Sequence, residues 1–432
     1  MKTIRQLTFK AFVLSAVLAV AVAIPALADG GQEALTLREI VDTAMKSNPA
    51  VIESQKRWEE KEGRIPAATA QPNPQLGIMK DDIPTGTINP FKAMMTEYSL
   101  TQEIMNPVKL RLMGKMADND AQMAKAGYQD KRVEVYANAK IAYYDLLYAG
   151  KALEIGKENQ QLMGQLVQIA QVNYSTGMAA LQDTLKAQTE FSKMTSDLYN
   201  MAAMEAVAKA KLNTVMGRTA DAPLAVKEEF SAPPPKFDLA GLQQQATAGK
   251  PAVLGMQRQV EMAQNGVVLA KKQQLPDFEL QLGYKDRKQT EMDSQPDTWK
   301  VGVMVMLPIW QDKNKGEIKA ANANLDASQA ALSNMQNMTS LDIQMALVEA
   351  QSAWRRLDVY KNTVIPQAEQ TYQAGVVGYT NGKVDFMAVL DSLNALRNAK
   401  LDYYKARIDY EKAAATLEKA VGKPLFISGV QP

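Results

Sequence analysis

Gly378-Tyr379-Thr380-Asn381-Gly382-Lys383-Val384-Asp385-Phe386-Met387-Ala388-Val389-Leu390-Asp391-Ser392 is the stretch around which the chain is organised. Asn381-Gly382 supplies residue types that tolerate positive φ, so the chain reverses there between two long helical patterns. The same signal stands 205 residues earlier as Asn173-Tyr174-Ser175-Thr176-Gly177. Leu181 and Leu185 follow it where Phe386 and Leu390 follow the later copy. The two turns read as matching tips of two copies of one hairpin.

Working outward, the copies extend over most of the chain. Pro49 and Pro251 lie 202 residues apart, as do Pro74 and Pro276, and Gly114 and Gly316. Asn106-Pro107 corresponds to Leu307-Pro308, and Tyr174, Gly177 and Gly217 match Tyr379, Gly382 and Gly422 at an offset of 205. Glycines and prolines in fixed order and spacing mark an internal duplication. Residues 29–219 form the first repeat and 237–423 the second. The Pro-rich linker 220–236 joins them, and 424–432 is a C-terminal tail.

The chain opens with Lys2, Arg5 and Lys10, an apolar run from Ala11 to Ala23, and Ala26-Leu27-Ala28. This is the form of a cleavable secretory signal peptide over residues 1–28. Removing its three bases from 49 leaves 46 against 47 acidic residues, so the mature chain carries no electrostatic footprint for nucleic acid. With no Cys, an exported chain must be held by packing or assembly rather than disulfides. His is absent too, which removes the most common general base. No phosphate-binding loop or nucleophile–base pairing appears, and neither an enzyme site nor a cofactor is expected.

Within each repeat the apolar period changes from two to that of a helix. Phe278, Leu280, Leu282 and Tyr284 alternate with polar or small residues, and so do Trp299, Val301 and Val303. These seven read as lipid-facing. In the first copy Tyr98, Leu100, Gln102 and Ile104 alternate likewise, and Leu76 and Ile78 form a shorter segment. Four strands per chain follow, two from each repeat; a soluble sheet packed on helices would alternate in the same way. After Pro107 and Pro308 the period lengthens. Val135, Ala139, Ala142, Leu146, Ala149 and Leu153 are spaced like a heptad seam, as are Ala327, Ala331, Asn334, Met338, Leu341, Met345 and Val348. Helices of about 65 residues would be rods of roughly 100 Å. Shorter return helices run from about Met178 to Val215 and from about Asp385 to Val421.

Four strands with a lipid-compatible face cannot close alone, because a bilayer tolerates no open sheet edge. Two, three or four chains would pool 8, 12 or 16 strands, and periodicity does not choose among them. The exported, duplicated layout, the strand pairs ahead of long helices and the Tyr-x-x-Gly…Leu-Asp tip resemble the TolC-type outer-membrane efflux factors. Within that family the chain resembles the heavy-metal, CzcC/CusC-like branch, although it lacks the N-terminal lipidated Cys common there. The resemblance implies a mainly α protein with a small β part. It implies a homotrimer with a 12-stranded transmembrane β-barrel and a coiled-coil-like α-helical tunnel. Outer-membrane lipid, a periplasmic adaptor and an inner-membrane pump of the resistance-nodulation-division type are its implied partners.

The resemblance also implies a periplasmic gate. Asp183 falls on the family's linking aspartate, Tyr379 on its linking tyrosine and Asp391 on a ring aspartate. Val384 replaces the usual arginine and Ala388 a second ring aspartate, with Asp385 beside them as a substitute acid. Tyr174, Gly177, Tyr379 and Gly382 are the expected adaptor-docking tips. Met304 and Met306 lie on the strand face opposite Trp299; thioethers bind soft Cu(I) or Ag(I), but flexible packing is their commoner use. A periplasmic adaptor is the alternative reading, but it should carry a lipoyl-like β-domain split across a hairpin, and none is visible.

Overall fold

The computed structural model describes residues 34–230, 232, 238–288 and 295–425. The signal peptide, Pro233-Pro234-Pro235 and most of the tail lie outside the described residues. The first repeat runs α1 (Leu37–Ser47), α2 (Pro49–Gly63), α3 (Ile65–Thr69), β1 (Gln75–Asp81), β2 (Met95–Ile104), α4 (Pro107–Ser175) and α5 (Leu181–Val215). The second runs α6 (Leu239–Gly249), α7 (Pro251–Lys272), β3 (Asp277–Arg287), β4 (Thr298–Met306), α8 (Gln311–Val359), α9 (Ile365–Thr380) and α10 (Phe386–Val421).

The duplicated Gly and Pro residues set the element boundaries. Asn48 and Asn106 cap α2 and α4 through their side chains, with Pro49 and Pro107 at the first helical position, where no N–H is needed. Gly177, Gly217, Gly382 and Gly422 have φ of 76°, 71°, 67° and 87°, and each ends a helix. In every case the N–H of the next residue reaches back five positions: Met178 to Asn173 O, Arg218 to Asn213 O, Lys383 to Gly378 O and Lys423 to Glu418 O. These are Schellman caps, which need a left-handed residue at that place. At Gly217 a Cβ would also meet the Ser47 carbonyl oxygen at 2.3 Å. The end of α5 is thus pressed onto the start of α2, where Asn48 Nδ2 donates to Val215 O at 2.8 Å. Gly422 meets Lys250 and Pro251 in the same way, so α10 abuts α7.

Stacking of these ends makes α2 with α5 one rod and α7 with α10 another. α4 lies between the two rods, and α8 with α9 flanks the far side of the second. At 69 residues α4 is roughly 100 Å long. Its counterpart is not continuous. Between α8 and α9, Tyr360–Val364 widens into a π turn in which Ile365 N–H donates to Tyr360 O. Pro366 explains the break: it has no N–H for the usual i−4 carbonyl, and its ring crowds that turn. The linker returns to the start of the chain, where Leu35 and Val226 form a parallel bridge.

Two buried carboxylates on α10 fasten the repeats together. Glu418 accepts from Lys140 Nζ at 2.5 Å and from Leu425 N–H at 2.8 Å. Two turns away, Glu411 accepts from Tyr144 Oη at 2.9 Å, Arg407 Nη2 at 2.7 Å and Ala232 N–H at 3.1 Å. Burial pushes the Glu411 carboxyl up, against the opposing pull of Arg407 and these hydrogen bonds.

Candidate functional site

The four strands form one antiparallel sheet in the order β1-β2-β3-β4. Its register sorts the side chains into cross-strand rows. Ile78, Tyr98, Tyr284 and Trp299 form one row, and Leu76, Leu100, Leu282 and Val301 the next. Gln102, Leu280 and Val303 follow, then Ile104, Phe278 and Val305. The seven residues expected to face lipid therefore share one face, and all but the half-buried Tyr284 are exposed: Val301, for example, is 79% exposed. Such exposure of contiguous apolar surface marks an interface. Tyr284 and Trp299 are in ring contact at 5.0 Å along one margin.

The opposite face is polar. Glu97 approaches Lys285 at 3.5 Å and Lys300 at 3.8 Å. Glu103 and Glu279 are direct cross-strand partners, and Met304 stands beside Glu279. Met306 pairs with Asp277, whose carboxylate holds Lys109 Nζ at 2.6 Å and Asn106 N–H at 2.8 Å. Met304 and Met306 thus lie on the polar face, as the alternation indicated. A sheet with one apolar and one hydrophilic face separates lipid from water if its edges are closed. Both edges, β1 and β4, are open within one chain.

At the far end of the rods the two tips touch. Tyr379 Oη donates to Asp183 Oδ2 at 3.3 Å, and Asn173 Nδ2 donates to the Tyr379 carbonyl at 2.9 Å. The Tyr379 phenol is pushed up to about 12, first by burial and then by the Asp183 carboxylate. Its O–H is therefore fully present below the ordinary value near 10, and this contribution to stability is lost only as pH rises through about 12. The pair forms without an arginine. Val384 is instead half-buried in the apolar cluster around Phe386 and Leu390, and its Cγ2 would lie 2.5 Å from any Cβ placed on Gly378.

One expectation changes here. Tyr379 is only 3% exposed, edge-on to Phe386, so its ring is withdrawn from the tip surface and cannot serve as a docking residue. Tyr174, Gly177 and Gly382 remain exposed. Asp385 has a local role as well: its Oδ1 accepts the Ala388 N–H at 2.7 Å as the N-cap of α10, while the residue stays exposed. Asp391 is exposed, and among the described residues no hydrogen bond or ion pair joins it to the Asp183–Tyr379 pair. Asn173 was not singled out from sequence. The signal available was its replacement by Gly378 in the second copy, which makes the two tips chemically unequal.

The copies also differ in environment. Phe386 and Leu390 are buried, whereas Leu181 and Leu185 are exposed on α5. In α8, Ile343, Leu347 and Ala350 face the chain's own core, while Met338, Leu341, Met345 and Val348 of the heptad seam are exposed. Among the described residues no group of three or more metal-ligating acidic, His or Cys side chains lies together. No described helix is long and apolar enough to cross a membrane.

Comparison with known proteins gives a consistent set of matches. The family profile described as outer membrane efflux protein matches residues 40–218 and 242–423, one segment per repeat. The cobalt-zinc-cadmium resistance protein CzcC of Cupriavidus metallidurans is 24% identical over 370 residues, 85% of either chain. The CusC crystal structure superposes with a TM-score of 0.77 at 15% identity, over 90% of this chain and 92% of that one. VceC of Vibrio cholerae gives a TM-score of 0.74 at 16% identity, over 90% and 96%.

Proposed function

The chain belongs to the outer membrane efflux protein family, and from that premise we propose that three copies close into one duct, gated at the helix tips. Membership makes it an efflux channel of the outer membrane that extends into the periplasm, and not an enzyme. The observation that carries the trimeric reading is the pair of open edges. Four strands with an apolar outer face and free β1 and β4 edges need copies of themselves, and three give 12 strands. The exposed seam of α8 and the exposed outer face of α5 then meet between neighbouring chains and continue the barrel as a helical tunnel. A periplasmic adaptor docks at the exposed tips around Tyr174, Gly177 and Gly382 and joins the duct to an inner-membrane pump, of the resistance-nodulation-division type. The likeness to CzcC supports a metal-resistance setting, with the metal cation as cargo rather than cofactor.

In this reading the Asp183–Tyr379 contact latches the two tips of each chain, and Asp391 supplies a three-fold ring of carboxylates that favours passing cations. Single-channel recording in planar bilayers tests both roles. Asp183→Ala and Tyr379→Phe should raise mean conductance severalfold, and Asp391→Asn should lower cation-over-anion selectivity at unchanged conductance. Closed-state conductance equal to wild type in Asp183→Ala and Tyr379→Phe would remove the latch from this end, and unchanged selectivity in Asp391→Asn would remove the carboxylate ring.

The lipid-facing assignment has its own test. Val303→Arg places a cation near the middle of the apolar rows. It should cost about 2–4 kcal/mol per chain at the bilayer midplane, read as a lower yield of folded protein in outer-membrane fractions. Gln281→Arg, on the polar face, should leave that yield unchanged.

A further inference from the structure

We propose that the strand-to-helix junction is a binding collar for anionic phospholipid headgroups of the periplasmic leaflet. Three of the four crossings between sheet and helices carry a pair of exposed bases. Arg111 and Lys115 follow β2, Lys271 and Lys272 precede β3, and Lys313 and Lys315 follow β4. Among the described residues the first four have no acidic partner, and Lys313 and Lys315 make only long contacts of 3.9 and 3.7 Å with Glu317 and Asp312. Lys109, in the same region, differs: it is buried and used up by Asp277 at 2.6 Å. The bases are therefore in excess where the apolar rows end.

The collar is continuous with the lipid-facing wall. Leu307 and Ile309 extend the outward parity of Trp299 to Val305, and both are about two-thirds exposed. Trp310 is 74% exposed beside them. Leu307, Pro308 and Trp310 share a hollow of about 370 Å³ with Gln273, Lys313, Asn314 and Glu317, the last only in long contact with Lys313. An exposed apolar rim of Leu307 and Ile309, an indole and an ammonium are what the glycerol-to-phosphate region of a phospholipid meets: acyl carbons on Leu307, the ring at headgroup depth, the phosphate on the amine. Several bases per chain, multiplied by the copies in the barrel, attract a negatively charged surface and not a neutral one.

The inference rests on the outer-membrane placement of the sheet, so its test is run on the assembled protein. Purified channel is equilibrated with mixed vesicles of equal phosphatidylglycerol and phosphatidylcholine, re-extracted gently, and its retained lipid quantified by mass spectrometry. Wild type should retain phosphatidylglycerol over phosphatidylcholine by on the order of fivefold. The variant Arg111→Gln/Lys115→Gln/Lys271→Gln/Lys272→Gln/Lys313→Gln/Lys315→Gln should bring the ratio to near one while still inserting into phosphatidylcholine vesicles as an intact oligomer. Equal retention of the two lipids by an intact wild-type oligomer overturns the proposal. So does full competition by inorganic phosphate at millimolar concentration, which would mark a free-anion site instead. Failure of wild type to assemble or insert at all would count against the channel reading, and is seen separately on unheated gels.

Discussion

Lys140→Met is expected to abolish most of the folded protein. Lys140 and Glu418 are 1% and 0% exposed and their charged atoms are 2.5 Å apart. Removing the ammonium leaves the buried Glu418 carboxylate without this counter-ion between α4 and α10, a loss of about 3–5 kcal/mol for a buried pair broken on one side. That is a large share of the margin by which a domain is folded. Glu418 also holds the Leu425 N–H, so the anchor of the C-terminal tail weakens at the same time. Glu418→Gln keeps an acceptor for that N–H and removes the charge, so Lys140→Met/Glu418→Gln should recover well over half of the loss. Urea unfolding followed by tryptophan fluorescence measures all three variants. A single variant as stable as wild type, or a double variant no better than the single, would show that the pair does not hold the repeats together.

Leu341→Asp/Val348→Asp is expected to leave a folded monomer that does not assemble. These residues lie seven apart on α8 and are 48% and 58% exposed, so within the chain they lose little. Across an interface each would otherwise contribute about 1.5–3 kcal/mol of burial, and each new carboxylate adds a desolvation cost there. The penalty recurs at every subunit contact of a ring. Light scattering in detergent should report the monomer mass with the helical circular dichroism of wild type. Ile343→Asp is the contrasting control: it is fully buried against α6 and α10 and should unfold the chain itself. A stable oligomer from the Leu341/Val348 variant would place the subunit contact elsewhere.

The candidate site was only partly legible in sequence. The Asp183 and Tyr379 positions came from family resemblance, and their side chains do meet, at 3.3 Å. That Tyr379 is buried while Tyr174 is exposed was not legible, because the two stand in equivalent motifs. Asp385 illustrates the same limit. One carboxylate at a helix start can carry a charge for a passing ion, cap the helix or do both, and only the structure shows the cap, through the Ala388 N–H.

The sequence by itself determined the duplication, the two-residue alternation of the strands, the lengths of the rods and the places where they stop. Each of these is a local property. A glycine at positive φ, a proline at a first helical turn and an alternating apolar face act within a few residues, and the backbone obeys them wherever the segment lies. Tertiary structure decided what the copies do differently. α4 and α10 lie inside the helical layer, while α5 and α8 lie at its edges, so matching positions meet a packed neighbour in one copy and open space in the other. The order of the rods, not the motif, therefore sets which tyrosine is buried, which heptad seam is left exposed, and where Asn173 meets the Tyr379 carbonyl.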